Sequence, residues 1–316
     1  MVGKLARQLD RAVFRPESLS ADLISAIALA PPVAAGLILF GLPAAKILIL
    51  ALVIGVAVHL AAILLRLRLE TSPALVAIVG VALCGPLTSL AWPVLVAFGA
   101  ALLEVMRCRF WPRAKVHTGL AAYGLVYLAS SGGVAAYTRP FSSQLFPEPI
   151  AQWSLYYGGA ARFVEPITLY VGNVAGPVFA TSLLAVVLGA AWLWYARRFS
   201  LVTAASFLLA AVAVSIAFGW DPVFHLDSGP AWFVVGFVLC DRRMLPDLPL
   251  ARPLMAIIAA VFGVGLRVLH LYVEALFVTV VLAELAIALV ESLARYLARL
   301  RVSLRGRLAE RGSASA

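Results

Sequence analysis

Apolar residues run through this chain in long uninterrupted blocks, separated by short polar punctuation. From residue 21 onward, blocks of roughly 18 to 24 residues follow one another, about the length a helix needs to cross ~30 Å of hydrocarbon at 1.5 Å per residue. Blocks this long and continuous exclude the short alternating strands of a membrane barrel. The pattern predicts an all-α polytopic membrane protein of about ten transmembrane helices. The spans lie near 21–42, 44–65, 73–89, 91–106, 116–137, 169–195, 200–218, 228–241, 252–270 and 273–294.

Composition supports this reading. Of 316 residues 63% are hydrophobic and only 13% charged, with a mean hydropathy of +1.00, too little polar surface to cover a soluble core. The spans divide the chain into a basic amphipathic segment (1–20), a first five-helix half (21–137), an external loop (138–168), a second five-helix half (169–294) and a basic tail (295–316). The N-terminal segment runs into the first span without a small-residue cleavage site, so that span is expected to be its own targeting signal. The external loop is rich in proline and aromatics, including Pro140, Pro147, Pro149, Trp153 and Pro166, and is expected to pack on the outer face.

The net charge of +10 sits in short loops, which makes it a topology signal and excludes a nucleic-acid patch. With ten spans, 21 of the 25 Lys and Arg residues share one side with both termini. The positive-inside rule makes that side cytoplasmic and the membrane the cytoplasmic (inner) one. Leu293, Leu297, Leu300, Leu304 and Leu308 recur at helical spacing among arginines. They predict either a helix lying on the inner leaflet or a solvated tail.

Several spans are interrupted by Gly and Pro, at Gly85-Pro86, Gly132-Gly133, Gly172 to Pro177 and Gly229-Pro230. In membranes such breaks are kinks at helix contacts or mark cavities and ion sites. The stretch from Thr71-Ser72 resembles that from Thr181-Ser182, and His117-Thr118-Gly119 resembles His225-Leu226-Asp227-Ser228-Gly229. Together they suggest pseudo-symmetric inverted repeats relating span three to six and span five to eight, with Thr71, Ser72, Thr181 and Ser182 near the midline.

At these residues the sequence resembles the RnfD/NqrB family: the D subunit of the Rnf ferredoxin:NAD oxidoreductase and the B subunit of the sodium-pumping NADH:quinone oxidoreductase. The stretch from Gly172-Asn173 through Gly176 to Thr181-Ser182 is similar to the family's Gly-Asn-x-Gly-Gly-x-x-Gly-Glu-Thr-Ser. His225 to Gly229, with Asp241 and Pro246 beyond, is similar to its His-Leu-x-Ser-Gly-Gly and Ala-Thr-Asp-Pro elements. Gly265-Leu266-Arg267 to Glu274 is similar to the elements before its last span. The resemblance implies a subunit that couples electron transfer by partner flavoprotein and iron–sulfur subunits to movement of sodium ions or protons.

Departures from the family pattern narrow the expected chemistry. The family attaches flavin mononucleotide to the Thr of Ser-Gly-Ala-Thr, whereas the best counterpart here is Gly158-Gly159-Ala160-Ala161. Ala161 has no hydroxyl, so covalent flavin is not expected. A non-covalent flavin, FMN or riboflavin, would be held near Gly172, Asn173, Thr181 and Ser182. The family's Glu is replaced by Ala180, and Arg242 and Arg243 follow Asp241, as in a divergent branch.

Ionisable groups within spans are costly, and so are functional candidates. Glu284 is the sharpest, in the last span, either functional or paired with a group such as Arg267; His59 and Glu104 lie nearer span ends. The expected ion path comprises Thr71, Ser72, His225, Asp227, Ser228, Asp241 and Glu284; Asp227 and Ser228 are equally plausible as helix caps. Cys84, Cys108 and Cys240 lack the spacing of a metal or disulfide framework, and no metal is expected. The chain carries no P-loop or dinucleotide fingerprint. The alternatives to a redox-complex subunit are a stand-alone transporter or channel of the same fold and a non-redox membrane anchor.

Overall fold

The structure is a computed structural model that describes residues 19–157, 165–227 and 229–314, with side chains up to Leu297. The chain is helical throughout, and strand pairing among the described residues is confined to isolated bridges. In the first half lie α1 (Ala21–Phe40), α2 (Leu42–Leu64), α3 (Pro73–Val81), α4 (Ala91–Phe110) and α5 (Thr118–Ala129). The intervening segment carries α6 (Pro149–Gln152) and α7 (Pro166–Val171). The second half contains α8 (Leu183–Tyr195), α9 (Leu201–Ala217), the short α10 (Pro222–Leu226), α11 (Gly229–Val234), α12 (Ala251–Gly265) and α13 (Val273–Ala314).

Helix starts follow local chemistry. Ser20, Ser182 and Ser200 each turn a hydroxyl oxygen back to accept an N–H of the first turn, from Leu23, Ala185 and Thr203, supplying a partner that lipid cannot. Five helices, Ala21–Phe40, Leu42–Leu64, Ala91–Phe110, Ala251–Leu269 and Val273–Leu297, are long and apolar enough to cross a bilayer.

Four expected spans are not continuous helices of the predicted length. The span at 73–89 is a nine-residue helix that ends before Gly85-Pro86. In place of 116–137 the helix stops at Ala129, ahead of Gly132-Gly133. The span at 169–195 becomes α7, an irregular stretch through Gly176-Pro177, and then α8. At 228–241, α11 widens into a π turn over Val235–Leu239. Glycine and proline weaken the helical ladder at each break.

The broken segments satisfy one another. Phe179 N–H donates to Ala82 C=O at 3.1 Å and Val178 N–H to Cys84 C=O at 2.9 Å. Gly85 N–H and Leu87 N–H donate to Val134 and Ala136 carbonyls at 2.9 and 3.2 Å, and the Thr88 hydroxyl to Gly133 C=O at 2.9 Å. Thr138 bridges to Gly176. Three irregular stretches, one from each of three broken spans, thus form a shared backbone network inside the bundle.

Packing partners recur with an offset of five crossings. Helix α2 packs on α4 and α4 on α5; correspondingly α9 packs on α12 and α12 on α13. The equivalent pairs α1 with α8 and α5 with α13 meet across the junction. Five is odd, so equivalent helices run in opposite directions. The sequence-level pairing of Thr71-Ser72 with Thr181-Ser182 and of His117 with His225 spans an offset of three, which is odd as well, and spans three and five meet as spans six and eight do. Those motifs are alike because each pair does the same local job: Gly119 lies against the Val76 carbonyl and Gly229 against the Thr181 carbonyl. A close approach to backbone selects glycine in both places.

A Cβ at Gly85 would strike the backbone of Ala136, whereas one at Gly124 would meet no neighbour within 4 Å. Gly85→Ala is therefore expected to destabilise the detergent-solubilised protein by about 1–3 kcal/mol. Gly124→Ala should be neutral or stabilising by up to about 1 kcal/mol. Thermal unfolding of the two variants side by side measures the difference.

Candidate functional site

A carboxylate taken into a bilayer costs several kcal/mol unless it is paired, protonated or bound to an ion. Helix α13 carries three that are buried: Glu274, Glu284 and Glu291. Their partners differ. Glu291 accepts the backbone N–H groups of Asp247 and Leu248 at 2.8 and 3.2 Å, with Arg295 at 3.7 Å. Glu274 accepts the Tyr137 hydroxyl at 2.9 Å. Glu284, 1% exposed, accepts only the His117 backbone N–H at 2.8 Å through Oε2, and its Oε1 has no partner among the described residues.

His117 caps α5, so Glu284 and Glu274 both face the seam where α5 packs on α13. Ten residues apart on one helix, they are separated by roughly 15 Å along its axis. Between them the seam is closed by Leu120, Phe277 and Val280, all fully buried, with Tyr123 edge-on to Phe277 at 5.6 Å.

At the arginine-rich end a polar chain continues from His117. The Thr118 hydroxyl donates to Glu104 at 3.0 Å, and Glu104 pairs with Arg107 at 2.8 Å. Arg107 also reaches Glu70 at 3.2 Å and the Ala114 carbonyl at 3.1 Å. His117 lines a small cavity of about 20 Å³ together with Ser25, Thr71, Asp241 and Arg243, room for about one water. Asp241 is held there by Arg198 at 3.2 Å and Arg243 at 3.0 Å. Arg243 reaches on to Asp22 and Ser25, and Asp22 accepts the Ser72 N–H.

At the opposite end a recess of about 550 Å³ is lined by Tyr127, Tyr137, Glu148, Tyr272 and Glu274, among others. Glu148 begins α6, its two oxygens accepting the Ile150 and Ala151 N–H groups at 2.9 Å each. Burial, and after it the charge of Glu274, pushes the Glu148 carboxyl up to about 8. Tyr137 links this recess inward, its hydroxyl 3.5 Å from that of Tyr123.

The expected ion-path residues therefore divide. Thr71 and Asp241 line the small cavity with His117, whose backbone N–H holds Glu284, while Ser72 donates its N–H to Asp22. His225 and Asp227 stand elsewhere: His225 Nδ1 meets the Arg267 guanidinium at 2.8 Å, its ring against those of Trp153 and Trp220, and Asp227 closes α10. Arg267 thus partners His225, not Glu284. Ser228 and Ala161 lie outside the described residues.

Gly172, Asn173, Thr181 and Ser182 take a structural role. Gly172 closes α7 in the left-handed conformation and lies against the Ser182 backbone. The Thr181 hydroxyl donates to the Pro177 carbonyl, and Ser182 caps α8. Asn173 donates its backbone N–H to Thr168. The cavity beside Thr181 is about 20 Å³, far below the ~300 Å³ of a site for an organic ligand. These four residues do not fit a flavin.

Sequence reasoning missed Glu274, Tyr137, Glu148 and the capping role of His117. The signal was present for Glu274, a second carboxylate in the same apolar run as Glu284. It was absent for Tyr137 and Glu148, which reach the seam only through the folding of the external segment.

Residues 18–297 match the NQR2, RnfD, RnfE family, and the chain belongs to that family. It is thus a multi-pass membrane protein and a membrane subunit of the Rnf/Nqr type. No curated protein matches the chain.

Glu104 is fully buried beside Arg107, whereas Glu70 is about half exposed. Glu104→Gln is expected to destabilise the protein by about 3 kcal/mol, because it leaves a buried cation short of charge. Glu70→Gln should cost under ~1 kcal/mol. Thermal melts of the two variants in one detergent test the ranking.

Proposed function

We propose that this member of the NQR2, RnfD, RnfE family is the ion-conducting membrane subunit of a redox-driven translocase, and that a sodium ion or proton crosses along the α5–α13 seam. Peripheral flavoprotein and iron–sulfur subunits supply the electron transfer. The chain lies in the cytoplasmic (inner) membrane with both termini cytoplasmic, so the arginine-rich end faces the cytoplasm and the 550 Å³ recess faces outward.

The observation that carries this reading is Glu284, a buried carboxylate with one oxygen unpartnered beside a bulky apolar closure. A carboxylate held only by a backbone N–H has capacity left for a proton or a cation. Each neighbouring feature then has a part. Glu148 and Glu274 put two carboxyl groups in the lining of the outer recess, where Glu148, pushed up to about 8 by burial, is a proton-binding group at neutral pH. Leu120, Phe277 and Val280 block free passage, which a pump requires and an open channel does not. On the cytoplasmic side the cavity of His117, Thr71 and Asp241 offers the next polar station. Arg198 and Arg243 keep Asp241 occupied, favouring release of a cation there. Ion movement past the closure requires the seam to open, and redox change in the partner subunits drives that opening. No step passes through a flavin at Gly172 to Ser182, where the residues do not fit one.

The test is redox-driven ion uptake into proteoliposomes containing the complex purified in mild detergent with its redox subunits. Glu284→Gln, nearly isosteric, is expected to lower uptake by about tenfold or more with the subunits still assembled. Unchanged uptake would remove Glu284 from the path. Failure of any redox subunit to co-purify with the wild type would count against the complex itself and favour a stand-alone transporter.

A further inference from the structure

Two arginine doublets, Arg197-Arg198 and Arg242-Arg243, are brought together where the α8–α9 turn pairs with the chain after α11. Arg242 N–H donates to the Arg198 carbonyl at 2.9 Å, Ser200 N–H to the Cys240 carbonyl at 3.0 Å, and Phe199 bridges to Asp241. The doublets divide their labour. Arg198 and Arg243 turn to Asp241. Arg197 and Arg242 instead line a separate recess of about 750 Å³ together with Arg252.

The lining of this recess is cationic and apolar. Three arginines contribute to it, and among the described lining residues none is acidic. The Arg242 guanidinium makes no hydrogen bond or ion pair among the described residues, while Arg252 donates through Nε to the Pro246 carbonyl at 3.0 Å. Beside the arginines stand Trp194, Leu201 and Val202, which are 58%, 58% and 65% exposed. They lie in the last turn of α8 and the first turn of α9, at the membrane's edge, where tryptophan prefers the headgroup level.

We infer that this recess binds the headgroup of an anionic phospholipid. The phosphate sits among Arg197, Arg242 and Arg252, and the acyl chains run along Trp194, Leu201 and Val202. Guanidinium groups match phosphate oxygens in charge and in geometry. Clustered basic side chains at the arginine-rich end of membrane helices favour anionic lipid. The exposed apolar wall selects lipid over a soluble anion, because only a lipid covers both surfaces. One consequence bears on the interior: a lipid phosphate here would lie next to the turn that fixes Asp241, so the lipid would brace the wall of the small cavity.

Native mass spectrometry of the protein from vesicles of phosphatidylcholine and phosphatidylglycerol tests the site. The variants are Arg242→Gln, Arg242→Gln/Arg252→Gln, and Arg68→Gln as a control at the same membrane end outside the recess. Wild type and Arg68→Gln are expected to retain phosphatidylglycerol. The double variant should retain it about 30-fold more weakly, the effect of two arginines at a membrane surface, with Arg242→Gln between them. Equal retention by all four proteins would overturn the inference, as would wild type that carries no phosphatidylglycerol. Displacement of the lipid by inorganic phosphate would assign the recess to a soluble anion and overturn the lipid. Arg242→Gln leaves every observed hydrogen bond of that side chain's neighbours in place, so its loss of lipid is not explained by misfolding.

Discussion

Backbone N–H and C=O groups inside hydrocarbon must find partners within the protein, and this constraint organises the bundle. A continuous helix meets it locally. The three spans broken at Gly85-Pro86, Gly132-Gly133 and Gly176-Pro177 cannot, and they meet it by pairing with one another: Phe179 with Ala82, Val178 with Cys84, Gly85 with Val134, Leu87 with Ala136. The pairing ties the two halves together through backbone contacts at their centre. It also requires the close approach at Gly85, where any side chain meets Ala136.

The same network places the chemistry. Tyr137 belongs to one of the irregular stretches, and its position there brings its hydroxyl to Glu274 on α13. His117 opens α5 with its N–H aimed at Glu284. The seam between α5 and α13 is where equivalent helices of the two halves meet, and it carries carboxylates on both sides of an apolar closure. Burial makes each of these carboxylates expensive; Glu291 has two backbone N–H groups and Arg295 and Glu274 a tyrosine hydroxyl, whereas one oxygen of Glu284 has no partner among the described residues. An uncompensated buried group is what ion binding would relieve.

Much of the fold was legible in the sequence because it depends on length and polarity. Apolar runs gave the crossings, and Gly-Pro pairs marked the breaks. What the broken segments pair with was not legible, since backbone partners leave no side-chain signature. Thr71-Ser72 and Thr181-Ser182 each precede an apolar helix, yet the Ser182 hydroxyl accepts a first-turn N–H and that of Ser72 does not, a difference that the likeness in sequence does not reveal. At the candidate site, Glu284 was readable from the rarity of charge in a span. Asp241 was also readable, although Arg198 and Arg243 hold it in ion pairs. Glu148 was hidden, because its burial follows from the packing of the external segment.

An ion path through the α5–α13 seam requires Glu284 to change its proton or ion during turnover. Infrared difference spectroscopy of the assembled complex, oxidised against reduced, reads this directly, with Glu284→Gln to assign the carboxyl band. If Glu284 lies on the path, a carboxyl signal appears with the redox change, responds to the coupling ion and vanishes in Glu284→Gln. A difference spectrum identical in wild type and Glu284→Gln would contradict that path.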